Sequence, residues 1–125
     1  MIELNELSKK ALEIANKRKE NGAKIDTESA KMLKHCATEV VEAMEAFVNY
    51  KGMKEITNDG KDFEGFEEPD VVEETFNEDK INFSFELGDI ISCALIIAAN
   101  ENIDIEKVLL DCVEKNRKRA EKNWG

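Results

Sequence analysis

Apolar residues recur along much of the chain at spacings of three and four, the period of helices that bury one face. The first stripe predicts a helix from Leu4 to about Glu20, and Asn21-Gly22 follows as a stop signal. No segment alternates with the two-residue period of a strand long enough to argue for a sheet, and no internal repeat is present. The pattern therefore predicts an all-α protein.

A second, longer helix carries an apolar stripe over 33–48. Asp26 and Thr27 are alternative caps for its N-terminus, because each can accept a hydrogen bond from a backbone N–H of the first turn. Lys51-Gly52 is expected to end this helix.

Two further helices are expected in the second half of the chain. The third begins near Asp79 or Asn82 and is apolar nearly all round, which predicts a buried central helix. A short turn from Asn100 leads to Asp104, which can cap a fourth helix whose stripe includes Leu109.

Residues 53–79 contain Pro69, two glycines and no sustained period, so we expect a long loop there. This segment holds eleven acidic residues and two lysines, and thus nearly all of the net charge of −10. The prediction is one domain over 1–125, an all-α four-helix bundle with a long acidic loop over 53–79 between helices two and three.

The net charge of −10 argues against binding to a nucleic-acid polymer or an anionic membrane surface. The densest apolar run, 90–99, is shorter than the roughly 18 residues that cross a bilayer, and the N-terminus does not resemble a signal peptide. Three widely spaced cysteines suit reduced thiols. We expect a soluble, cytoplasmic protein.

Two acidic pairs stand out within apolar helix segments. Between Ile81 and Asn100 the only charged residues are Glu86 and Asp89, spaced to share one helix face. A solvated position or a helix N-terminus would also accommodate them. Glu39 and Glu42 repeat the same spacing on helix two, where a solvated helix edge is the alternative interpretation.

If the two pairs face each other, four carboxylates without a His or Cys suit Mg²⁺, with Mn²⁺ as the alternative ion. His35 lies one turn before Glu39 and is either an outer partner of that carboxylate or an ordinary packing or surface residue.

The end of helix four is basic, and Lys115, Asn116 and Arg119 lie close together there. Basic side chains near a helix C-terminus complement the helix dipole, which explains part of this cluster. Asn and Arg at this spacing are also suited to holding a phosphate.

These motifs together resemble the MazG-like nucleoside triphosphate pyrophosphohydrolases. Glu39-Val-Val-Glu42 followed by Glu86-Leu-Gly-Asp89 is similar to their Glu-x-x-Glu and Glu-x-x-Asp signature. The segment 115–119, with Trp124-Gly125 after it, is similar to the Asn-x-x-Arg segment that closes many single-domain members. The related phosphoribosyl-ATP pyrophosphatases share the carboxylate pattern.

The resemblance implies Mg²⁺-dependent hydrolysis of (deoxy)nucleoside triphosphates to the monophosphate and pyrophosphate, as nucleotide-pool house-cleaning. It implies metal ligation by all four carboxylates, a catalytic role in orienting or deprotonating water for Glu39 or Glu42, and phosphate binding by Lys115, Asn116 and Arg119. It also implies a homodimer or homotetramer. The alternatives are a phosphoribosyl-ATP pyrophosphatase-like activity and a non-enzymatic acidic helical interaction module.

Overall fold

Residues 3–121 are described by a computed structural model of the chain. They form four helices, α1 (Leu4–Glu20), α2 (Ser29–Ile56), α3 (Pro69–Asn100) and α4 (Ile105–Glu121). No strand occurs in this part of the chain, so the prediction of an all-α protein with four helices is confirmed. The Trp124-Gly125 end of the sequence motif lies outside the described residues.

The chain divides into two compact units, each described by itself. The first contains the described residues up to Leu33 and those from Ser92 onward. The second runs from Lys34 to Ile91 and therefore contains most of α2 and most of α3.

In the first unit, Asn5 of α1 ties down the start of α4. Its Oδ1 accepts the Ile105 N–H at 3.0 Å, and its Nδ2 donates to Asp104 Oδ1 at 2.9 Å. Asp104 Oδ1 also accepts the Lys107 N–H at 3.2 Å, which confirms that Asp104 caps α4. These hydrogen bonds, the one from Asn5 foremost, lower the pKa of Asp104.

The predicted cap of α2 is wrong by one or two positions. The helix begins at Ser29, and the preceding residue, Glu28, accepts the Ala30 N–H through Oε1 at 3.3 Å. Asp26 instead accepts the Glu28 N–H at 3.0 Å, just before the helix. Asp26 therefore organises the entry to α2 without capping it.

The long loop predicted over 53–79 is also wrong in its bounds. Helix α2 continues through Gly52 to Ile56, and α3 begins at Pro69, so the connection covers 57–68. A glycine inside a helix costs only about 1 kcal/mol relative to alanine, which packing can offset. Proline fits the first helical position because no intrahelical partner is needed there for its missing N–H.

This correction moves most of the acidic segment into helices. Five of its eleven acidic residues lie in the 57–68 connection, one ends α2, and five lie in the first part of α3. Asp70 lies in the first turn of α3, where the helix dipole favours a negative charge. The acidity is therefore divided between the connection and the helices on either side of it.

A tight turn ends α2 in the second unit. Asn58, Asp59 and Gly60 all have positive φ, at 52°, 60° and 76°. Thr57 is fully buried, donates from Oγ1 to the Met53 carbonyl and accepts the Gly60 N–H at 3.1 Å. The turn thus stops the helix without leaving the buried Thr57 hydroxyl unsatisfied.

Substituting alanine at two glycines should have opposite effects on stability. At Gly60 a Cβ would lie 2.6 Å from the ring of buried Phe76, on a backbone with φ of +76°. We expect Gly60→Ala to lower the free energy of unfolding by about 1–3 kcal/mol. Gly52→Ala, the matched control inside α2, meets nothing within 4 Å and should raise it by about 0.5–1 kcal/mol. Urea unfolding of both variants tests this, and equal effects would contradict the turn assignment.

The expectation that α3 is buried on all sides is wrong for the single chain. Cys93, Leu95, Ile96 and Ala98 are buried, but Phe85 is 70% exposed. In the second unit α3 has one other long helix to pack against, so part of its apolar surface stays uncovered.

Among the described residues, α3 is the one helix long and apolar enough to cross a membrane by length and composition, with a mean hydropathy of 1.6 over 18 residues. Every 18-residue segment of α3 that has no more than two charged residues contains both Glu86 and Asp89. Two carboxylates within a hydrocarbon layer are costly, so we interpret α3 as a packing helix.

Candidate metal centre

Aromatic contacts set the register of α2 and α3 in the second unit. The ring centroids of Phe47 on α2 and Phe83 on α3 are 5.2 Å apart. One turn later on α2, the ring of Tyr50 lies 5.7 Å from that of Phe76, centroid to centroid, and Phe76 is two turns before Phe83 on α3. Because the contacts proceed in opposite directions along the two helices, α2 and α3 are antiparallel here. The same register continues toward the carboxylate pairs.

Three of the predicted carboxylates meet between these helices. Oxygens of Glu39, Glu42 and Glu86 all lie within 4.8 Å of one another. Glu39 and Glu42 are one turn apart on α2, and Ala43, next to Glu42, is buried and small. The two-helix arrangement inferred from spacing is therefore present for these three residues.

Two oxygen atoms in this cluster are buried without a partner. Glu39 is only 8% exposed, and its Oε2 has no hydrogen-bond partner among the described residues. Glu86 Oε2 is in the same condition. A buried carboxylate oxygen with no donor is unfavourable, and ligation of a divalent cation is one way to satisfy it. The donor set, oxygens only, fits a hard cation such as Mg²⁺.

The pKa of Glu39 is raised above its ordinary value. Burial of the carboxyl group is the main cause, followed by the negative charge of Glu42, with smaller contributions from Asp89 and Glu86. His35 acts in the opposite direction. A bound cation would reverse this balance by favouring the ionised carboxylate.

Asp89 is the fourth predicted ligand and stands apart from the group of three. Its side chain is exposed, and it does not belong to the set of oxygens within 4.8 Å of one another. It is nevertheless close enough to raise the pKa of Glu39. The geometry thus brings three carboxylates together and leaves Asp89 at the edge of the cluster.

Lys115, Asn116 and Arg119 are exposed on α4, and their side chains make no hydrogen bond or ion pair within residues 3–121. Their neighbour Arg117 differs, because it pairs with Glu114 at 2.6 Å and with Glu121. These basic residues belong to the first unit, whereas the four carboxylates belong to the second.

His35 contacts the cluster, which is one of the two interpretations that its position in the sequence leaves open. His35 Nε2 lies 2.9 Å from Glu39 Oε1, across one turn of α2. The spacing of four residues is the signal that pointed to it, but spacing alone does not distinguish this contact from a solvent-facing histidine.

A separate cavity of about 430 Å³ occurs in the first unit, between α1 and the turn that joins α3 to α4. Its lining includes Ser8, Lys9, Ala98 and Asn102. None of the predicted site residues lines it.

Comparison with known families agrees with the motif. The family model described as the MazG nucleotide pyrophosphohydrolase domain matches residues 26–124, which includes both acidic pairs and the basic segment of α4. No curated protein and no solved structure matches the chain.

Proposed function

Because the chain belongs to the MazG nucleotide pyrophosphohydrolase domain family, with residues 26–124 matched, we propose that it hydrolyses (deoxy)nucleoside triphosphates to the monophosphate and pyrophosphate. The observation that carries the proposal is the three-carboxylate cluster with its two unpartnered buried oxygens. Burying several carboxylates together lowers the stability of a protein that binds no cation. A divalent cation, bound together with a polyphosphate, would offset this repulsion.

Mg²⁺ is the proposed cofactor, with Mn²⁺ as an alternative. Glu39, Glu42 and Glu86 would hold the ion, and Asp89 at the edge of the cluster would complete the set or hold a second ion. When bound, Mg²⁺ neutralises charge on the phosphates and lowers the pKa of water.

The protein's own groups are proposed to do the remaining chemistry. Oε1 of Glu39 accepts a hydrogen bond from His35 and its Oε2 is buried, whereas Glu42 is the more exposed of the pair. We therefore propose Glu42 as the carboxylate that orients water and accepts its proton. Attack on the α-phosphorus then breaks the bond to the β-phosphate oxygen and releases pyrophosphate. Lys115, Asn116 and Arg119 are proposed to donate hydrogen bonds to phosphate oxygens.

Cleavage of the α–β bond can be tested by product analysis. Wild-type protein, Mg²⁺ and a nucleoside triphosphate should yield equimolar monophosphate and pyrophosphate. Formation of the diphosphate and inorganic phosphate would contradict the proposal. Activity confined to phosphoribosyl-ATP would favour the phosphoribosyl-ATP pyrophosphatase-like activity, and inactivity on every nucleotide would favour an interaction module.

Arg119→Ala should raise the KM for the nucleotide by about tenfold, because one charge-assisted hydrogen bond to phosphate is lost. Its effect on metal affinity should be smaller. Arg117→Ala is the matched control, since Arg117 is already engaged by two glutamates. Steady-state kinetics at saturating Mg²⁺ provides the measurement. An unchanged KM for Arg119→Ala would indicate that the basic residues only complement the dipole of α4.

We also propose a cytoplasmic house-cleaning enzyme that acts as a homodimer or homotetramer. The oligomer is supported by apolar side chains that the single chain leaves exposed in the second unit, such as Val41, Met44 and Val48 on α2 and Phe85 on α3. Light scattering coupled to size exclusion measures the oligomeric state, and a monomer at micromolar concentration would contradict this part.

A further inference from the structure

His35 makes a hydrogen bond that constrains the buried carboxylate of the cluster. Its Nε2 lies 2.9 Å from Glu39 Oε1. When Glu39 is ionised, as ligation of a cation requires, its oxygens only accept hydrogen bonds, so Nε2 carries the hydrogen. The neutral tautomer with hydrogen on Nε2 and the protonated ring both satisfy this requirement, so the contact does not depend on the charge of His35.

The two oxygens of Glu39 are therefore not equivalent. Oε1 is occupied by His35, whereas Oε2 is buried and has no partner among the described residues. The Glu39 side chain is only 11% exposed, compared with 55% for His35, so the histidine reaches inward from the surface. A carboxylate held at one oxygen presents the other in a fixed direction.

We propose that His35 is a positioning residue that fixes the rotamer of Glu39, so that Oε2 alone is presented to the divalent cation. This inference rests on the proposed function, because it assumes that Glu39 is a metal ligand. His35 itself is no ligand in this arrangement, because its Nε2 donates to Oε1 and the group of side chains that could hold an ion does not include it.

The physical consequence is preorganisation. Without the hydrogen bond, the Glu39 side chain can adopt other rotamers, and ordering them on cation binding reduces the affinity. Removing partners that orient metal ligands typically weakens metal binding by about 10–100-fold. Because His35 is half-exposed, truncating it leaves no large cavity, and the fold should persist.

The test compares Mn²⁺ affinity in four nucleotide-free proteins: wild type, His35→Ala, His35→Gln and Lys51→Ala. Glutamine places an amide N–H at about the position of histidine Nε2 and should restore the hydrogen bond. Lys51→Ala is the matched control, since it removes another i,i+4 pair of α2, with Glu55, outside the cluster. Free Mn²⁺ is followed by electron paramagnetic resonance, and helicity by circular dichroism.

We expect His35→Ala to weaken Mn²⁺ binding by at least about tenfold, with His35→Gln and Lys51→Ala close to wild type. At saturating Mn²⁺ the KM for nucleotide should be the same in all four proteins. Wild-type-like or tighter Mn²⁺ binding by folded His35→Ala would overturn the positioning role, as would failure of His35→Gln to restore affinity. Absence of Mn²⁺ binding in the wild type would instead overturn the proposed metal site itself.

Discussion

The Glu39→Gln protein is expected to release pyrophosphate from nucleoside triphosphates at least about 100-fold more slowly than the wild type. Glutamine preserves the shape of the side chain but removes the negative charge that the buried position contributes to a cation. Glu86→Gln should have the same consequence, because Glu86 supplies the other unpartnered buried oxygen. The measurement is initial rate of pyrophosphate release at saturating Mg²⁺.

Two exposed glutamates on the same helices provide matched controls. Glu55→Gln on α2 and Glu74→Gln on α3 make the same chemical change outside the cluster, so both should retain activity. Circular dichroism should show wild-type helicity for all four variants. Full activity in Glu39→Gln or Glu86→Gln would contradict the assignment of the site.

Glu39 should also make the stability of the protein depend on both pH and metal. Because its pKa is raised in the folded state, its favourable contribution is fully present below the unfolded value of 4.5 and is lost as pH rises through the folded value. Relative to Glu39→Gln, the metal-free wild type should thus lose stability as pH rises from about 4.5 toward neutral. The cause is an increasingly ionised carboxyl group buried beside Glu42 and Glu86.

Divalent cations should reverse this loss. At 100 times its dissociation constant, Mg²⁺ should raise the free energy of unfolding of the wild type by about 2.7 kcal/mol at neutral pH. Glu39→Gln, which carries no charge at this position, should be more stable than the wild type in chelator and gain much less from Mg²⁺. Urea unfolding at two pH values, with chelator or Mg²⁺, measures all of these quantities.

Two results would contradict the stability role of Glu39. A Glu39→Gln protein that is no more stable than the wild type in chelator at neutral pH would show that the buried carboxyl group imposes no cost. Equal Mg²⁺ stabilisation of both proteins would place the cation elsewhere. Glu55→Gln again serves as the control for a change of charge alone.

The helix pattern and the acidic pairs could be predicted from sequence because each depends on local spacing. Helix periodicity gave α1 and the start of α4 closely, and the three-residue spacing put Glu39 and Glu42 on one face. The ends facing the acidic segment could not be predicted in this way. Gly52 and Pro69 are helix-breaking signals by type, yet one lies inside α2 and the other begins α3.

Predicting which carboxylates meet requires the register of α2 against α3, and local sequence patterns carry no information about that register. Contacts between distant aromatic residues, such as Phe47 with Phe83, fix that register. The register explains why Glu86 joins Glu39 and Glu42 while Asp89, one turn away, stays exposed. The prediction that α3 is buried on all sides is wrong for a related reason. An apolar helix surface can be covered by the same chain or by another copy, and the sequence pattern does not distinguish the two.

Pyrophosphate release by the wild-type protein across a panel of ribo- and deoxyribonucleoside triphosphates, with Mg²⁺ and with chelator, tests the proposed activity directly. We expect equimolar pyrophosphate and monophosphate from at least one nucleotide, only when Mg²⁺ is present, and release at least about 100-fold slower with Glu39→Gln. Pyrophosphate release from no nucleotide, or release that persists in chelator, would contradict the proposed activity.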